Sequence, residues 1–148
     1  MDYDKLIYES SDTYVESLIN IKNIIFKYKE EFKDNIDQFD HAERKLRIVL
    51  VTKDFDILIN KTSPLVLKFK KEILQDKVQE LLNYDYEKLL YDDIKEENKE
   101  TIITLIKCIK LCWLKLKKSE QNRIKKLLKS MITSCELYMM TIEARKMN

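Results

Sequence analysis

Along most of this chain apolar residues recur at intervals of three and four rather than two, the period that places them on one stripe of an α-helix. The clearest stripe is Ile102, Leu105, Ile106, Ile109, Cys112, Trp113 and Leu116. After Lys117-Lys118-Ser119 it resumes with Ile124, Leu127, Leu128, Met131, Cys135, Tyr138, Met139 and Ile142. This pattern predicts two long amphipathic helices joined by a short lysine-rich turn, with Ser119 as the second N-cap, and hence an antiparallel hairpin over residues 101–146.

Upstream, Val15, Leu18, Ile19, Ile25, Phe26 and Phe32 predict a helix over residues 12–33, capped by Ser11 or Asp12 and broken at Asp34-Asn35. A second helix is expected from Ile36 to about Val51. Arg47 to Ile59 is rich in β-branched residues (Ile48, Val49, Val51, Thr52, Ile57), but a lone strand would have no partner, and Phe55, Leu58 and Ile59 continue a helical stripe. Ser63 followed by Pro64 predicts a new helix start, since proline fits the first helical position. Leu65, Leu67, Phe69, Ile73 and Leu74 follow, then a break near Gln75-Asp76 and a further turn through Val78, Leu81 and Leu82.

Residues 83–100 read as an acidic connector: Asp85, Glu87, Asp92, Asp93, Glu96, Glu97 and Glu100 alternate with Tyr84, Tyr86, Leu89, Leu90 and Tyr91. Its tyrosines are expected to rest on the core with their hydroxyls in water. The expected fold class is all-α, a single domain of about five to six helices, with N-terminal helices over 1–82, the connector over 83–100 and the hairpin over 101–146.

Composition narrows the chemistry. None of the 148 residues is glycine, which removes the Gly-rich phosphate loops, dinucleotide-binding turns and nucleophile elbows of common nucleotide-binding and hydrolase folds. Cys108, Cys112 and Cys135 fall on apolar stripes and read as core thiols in a reducing compartment. A zinc site would need about four ligands, and the single histidine, His41, is distant in sequence. His41 beside Asp40 has no nucleophile or second base at a recognisable spacing, so it reads as a solvated side chain. Asp54-Phe55-Asp56 is too short a pattern to stand as a metal site without a third ligand. The N-terminus is acidic and the longest apolar runs are four residues, as in Ile48 to Val51, so neither a signal peptide nor a membrane span is expected. No catalytic residue, cofactor, metal, small-molecule substrate or membrane partner is expected, and the chain is expected in the cytoplasm.

Two surfaces stand out. Lys115, Lys117, Lys118, Arg123, Lys125, Lys126 and Lys129 cluster around the hairpin turn against Glu120 alone. They are either a solvated face or a contact for nucleic-acid phosphates or an acidic partner. Four of the five methionines lie in the last helix or just past it, and between Met131 and Ile142 only Thr133, Ser134, Glu136 and Thr141 are polar. A helix apolar almost all round is either central to its own domain or covered by another chain; on the second alternative Met131, Tyr138, Met139, Met140 and Ile142 form a protein interface.

The run from Ser63-Pro64 through Asn83-Tyr84-Asp85-Tyr86, followed by Cys112-Trp113-Leu114-Lys115-Leu116-Lys117-Lys118-Ser119-Glu120, resembles short all-helical proteins of unknown function from nucleocytoplasmic large DNA viruses. The resemblance covers about residues 63–140, and the richness in Lys, Ile, Asn and Tyr agrees with an A+T-rich genome. It implies a role in a viral cytoplasmic factory or particle, and so a place in the host cytoplasm or the virion, and assigns no functional residues. The function expected is therefore that of a non-enzymatic structural or adaptor protein, working with a protein partner or as a homo-oligomer. Nucleic-acid association through the lysine cluster is the alternative.

Overall fold

A computed structural model describes residues 2–86 and 97–147, with only the backbone at Glu97. Its described residues form seven α-helices and no strand: α1 (Tyr3–Phe26), α2 (Ile36–Thr52), α3 (Phe55–Leu67), α4 (Lys70–Leu74), α5 (Val78–Leu82), α6 (Glu97–Cys112) and α7 (Lys118–Lys146). Tight 3-10 segments at Lys29–Asn35 and Trp113–Lys115 join α1 to α2 and α6 to α7. The all-α bundle expected from the apolar spacing is what forms.

The longest pairing runs between the first and last helices, which lie antiparallel. Lys27 Nζ meets Glu120 Oε2 at 3.1 Å, Ser17 Oγ donates to Ser130 Oγ at 3.3 Å, and Arg145 Nη1 approaches Asp4 Oδ1 at 3.5 Å. α1 packs on α7 more extensively than any other pair of helices does, while α6 lies chiefly against α2, α3 and the first 3-10 segment. Thus α6 and α7 follow one another through a short turn but do not pack side by side as the expected hairpin would, because α1 takes the apolar face of α7 and α6 lies on α2 and α3.

Helix α1 starts nine residues before the expected site, with the Asp2 carboxylate accepting the Lys5 amide at 3.0 Å as its cap. Ser11 is not a cap. Ser10, Ser11 and Ser17 lie buried in the helix, where their hydroxyls donate back to the carbonyls of Leu6, Ile7 and Thr13. A serine satisfied in this way needs no helix end, and its small volume lets two backbones approach. α1 also stops earlier than expected, at Phe26: the chain leaves helical geometry at Tyr28 (φ −112°, ψ 26°) and again at Phe32 (φ −126°, ψ 29°), whose ring is buried 4.9 Å from that of Phe39 on α2.

Helix α2 closes at Lys53, a left-handed residue (φ 58°) whose amide donates to Val49 O at 2.8 Å, and α3 begins at Phe55. The β-branched stretch is therefore two helices around one sharp link. The helix start expected at Ser63-Pro64 is corrected: both residues lie inside α3, with Ser63 buried and Pro64 exposed. Apolar contacts of Leu58, Ile59, Leu65 and Val66 on both sides of the proline hold one continuous helix despite the missing amide. The break near Gln75-Asp76 is present, with Asp76 at φ 55° between α4 and α5.

Most of the acidic connector, including Tyr91, lies outside the described residues. Of its other tyrosines, Tyr84 is exposed, but Tyr86 is buried and donates its hydroxyl to Leu81 O rather than to water. Their rings pack with Phe69, at 4.9 and 5.6 Å between centroids. The N-cap of α7 is Lys117, not Ser119, because the Glu120 carboxylate reaches back to the Lys117 amide at 3.0 Å and satisfies the helix end from three residues inside.

Candidate interaction surfaces

The lysine cluster splits into three parts. Lys115, Lys117 and Lys118 stand exposed on the α6–α7 turn, Arg123, Lys125 and Lys126 follow along α7, and Lys129 is held at 3.0 Å by Asp76 of the α4–α5 link. Glu120, the one acid of this stretch, faces inward. It receives the Tyr28 hydroxyl, the Lys117 amide and Lys27 Nζ, and its side chain is only 13% exposed. The hydrogen bond from Tyr28, joined by those from Lys117 and Lys27, holds its carboxyl down to about 2 against an opposing effect of burial. So Glu120 clamps α1 to α7, and the lysines beside it keep their charge toward solvent.

Of the five apolar residues singled out on the last helix, Met131 and Tyr138 are buried within this chain, and Met139 and Ile142 pack on the edge of the same core. Met131 borders a dry cavity of about 30 Å³ between Leu18, Leu65, Leu105 and Leu128, enough for about one water and no ligand. The apolar character of the helix is thus met from inside, by α1 with help from α3 and α4. Met140 alone points outward, 69% exposed, with Leu137 half-exposed one turn before it.

Exposed apolar side chains are more numerous at the α2–α3 corner. Val51 is 83% and Ile48 56% exposed, and with Arg47 and Thr52 they line a shallow groove of about 220 Å³. Leu50, between them in sequence, and Ile57, in the first turn of α3, are also exposed. The Tyr8 and Phe55 rings, 6.4 Å apart, place this corner beside the first turns of α1. Met140 belongs to the same half of the molecule, since the last turns of α7 meet the first of α1 through Arg145 and Asp4. One signal in the sequence pointed here: four apolar residues in a row, Ile48 to Val51, cannot all face inward from a helix.

No group of three or more His, Cys, Asp or Glu side chains among the described residues is arranged to hold a metal. His41 lines an open cleft of about 420 Å³ between α2 and α6 with Asp37, Ala42, Glu100, Ile103 and Lys107. Burial pushes the thiols of Cys108, Cys112 and Cys135 up to about 12, so they are core groups rather than nucleophiles. No described helix is long and apolar enough to cross a membrane.

No protein-family model matches the chain, and neither a curated protein nor a solved structure matches it significantly.

Proposed function

We propose that the protein is a non-enzymatic adaptor that binds a protein partner through the α2–α3 corner. The observation that supports this most is the exposure of Ile48 and Val51 side by side in one groove, with Leu50 and Ile57 also exposed on the same two helices. Apolar groups collected in this way are the usual core of an interface, and Arg47 at the groove edge suits its polar rim. The interface moves from the methionine-rich helix, whose apolar residues are largely used internally, to this corner.

The test compares the wild-type chain with an Ile48→Asp/Val51→Asp variant. Both positions are exposed, so the fold should survive, as circular dichroism would verify. Wild type should co-purify with a partner from its native source or form a dimer by light scattering, and the variant should lose that association. A monodisperse monomer that captures nothing, or association unchanged by the two substitutions, overturns the reading.

A further inference from the structure

The opposite end of the bundle carries a different surface. From Tyr8 to Lys27 is roughly 28 Å along α1 at the helical rise per residue. Beyond Lys27 lies the turn that joins α6 to α7. Leu114 projects from that turn 89% exposed, and Leu111, one turn earlier on α6, is 45% exposed.

This is an ordered tip. Trp113 beside Leu114 is buried, its carbonyl accepts Gln121 Nε2 at 2.8 Å, and the Leu116 amide bonds back to Cys112 O and Trp113 O at 3.2 and 3.3 Å. The leucine is held outward by a stapled turn.

Around it stand Lys110, Lys115, Lys117 and Lys118, all exposed, and no acidic residue occurs between Thr101 and Ser119. On the adjoining end of α1, Phe26 is partly exposed with Lys29 Nζ 5.2 Å from its ring centre. The acids at this end are Glu120, already clamped, Glu30, Glu31 and Asp34 on the first 3-10 segment, which Lys29 and Lys33 accompany, and Asp37 in the first turn of α2. On the stretch that carries the two leucines the exposed charges are all positive, and the acids stand on the neighbouring segment.

We propose that this tip docks on the surface of an anionic phospholipid bilayer, with Leu114 and Leu111 entering the headgroup–acyl boundary and the surrounding lysines contacting lipid phosphates. Stable peripheral binding needs two signals, and the tip supplies both: apolar side chains that insert, and a basic ring drawn to the negative surface potential. It requires no crossing helix. Nucleic acid would answer the lysines but not the leucines, and the one aromatic ring of the turn that could stack on a base, Trp113, is buried. A protruding apolar tip suits a fluid, deformable surface. This inference is independent of the partner site at the α2–α3 corner.

The full chain is tested by co-sedimentation with vesicles of phosphatidylcholine alone and with vesicles containing about 30% phosphatidylserine. Binding should appear only with the anionic vesicles and weaken as salt is raised. Leu114→Glu should reduce it roughly tenfold or more while leaving the unfolding midpoint unchanged, and a Lys115→Gln/Lys117→Gln/Lys118→Gln variant should reduce it similarly. Trp113 fluorescence should be quenched by lipids brominated near the headgroup. Three results overturn the proposal: no binding to anionic vesicles at low salt, binding indifferent to Leu114→Glu, or tighter binding to duplex DNA that is likewise indifferent to Leu114→Glu. The last would assign the lysines to nucleic acid.

Discussion

Tyr14 of α1 and Thr62 of α3 are both fully buried, and their hydroxyl oxygens lie 2.6 Å apart. Thr62 Oγ1 also lies 2.7 Å from Leu58 O, and a carbonyl can only accept. The threonine proton therefore goes to Leu58, and Tyr14 donates to Thr62. Burial, the main cause, raises the Tyr14 phenol pKa far above its ordinary value and keeps the group neutral in this role. Tyr14→Phe removes only the donor and should cost about 1 kcal/mol, whereas Thr62→Val leaves the tyrosine hydroxyl buried without an acceptor and should cost about 1–3 kcal/mol. Urea unfolding should give that order, and the double variant should lose less than the sum of the two.

The clamp at Glu120 makes stability depend on acid. Its carboxyl is held at about 2 in the folded chain against an ordinary value of 4.5, so the folded state binds the proton less readily than the unfolded state. The contribution is complete above about pH 4.5 and is lost as pH falls toward 2. The urea midpoint of wild type should drop through this window. Glu120→Gln should be less stable than wild type at pH 7, with the gap closing as the window is crossed. Tyr28→Phe removes the largest contributor and should move the Glu120 titration, followed by carbon NMR, upward.

Thiol chemistry provides a third check. With all three cysteines buried and pushed up to about 12, almost no thiolate exists at pH 8 in the folded chain. An aromatic disulfide reagent should label none of them rapidly in buffer and all three in denaturant, at a native rate that follows transient opening. Fast labelling of any one in the folded protein would contradict its burial.

Pro64 stands exposed inside α3 and removes the amide that would bond to the Asn60 carbonyl. Pro64→Ala restores that bond and relieves the ring, against a smaller gain of freedom in the unfolded chain. The variant should be more stable by about 1 kcal/mol in urea or thermal unfolding.

These side chains show which parts of the structure could be read from the sequence. Helices α2, α6 and α7 followed from apolar spacing because each buries a stripe of large side chains. The first third of α1 did not, because Ser10 and Ser11 resemble helix ends to any argument from local preference, and only the helices packed on α1, α7 and α3 foremost, make them interior. Pro64 misled for the same reason: its local preference for a helix start is overridden by contacts on both sides. Of the surfaces, the lysines were legible because charge seeks water wherever the helix turns. Leu114 was not, since helical spacing cannot say which way a residue of a tight turn points. Met131 and Tyr138 were legible as apolar but not as internal, because a second chain and α1 could cover the same face.

The pairing of α1 with α7 also sets a timetable. Arg145, which meets Asp4, is made 141 positions after it, and Glu120 follows Lys27 by 93. At about 5–20 residues per second of synthesis, α1 emerges with its apolar stripe bare roughly ten seconds before the helix that shelters it. Contacts so distant along the chain also slow refolding relative to bundles whose neighbours are sequential. The nascent chain therefore carries an uncovered apolar stripe through most of its synthesis, and it can complete its core only once α7 has left the ribosome.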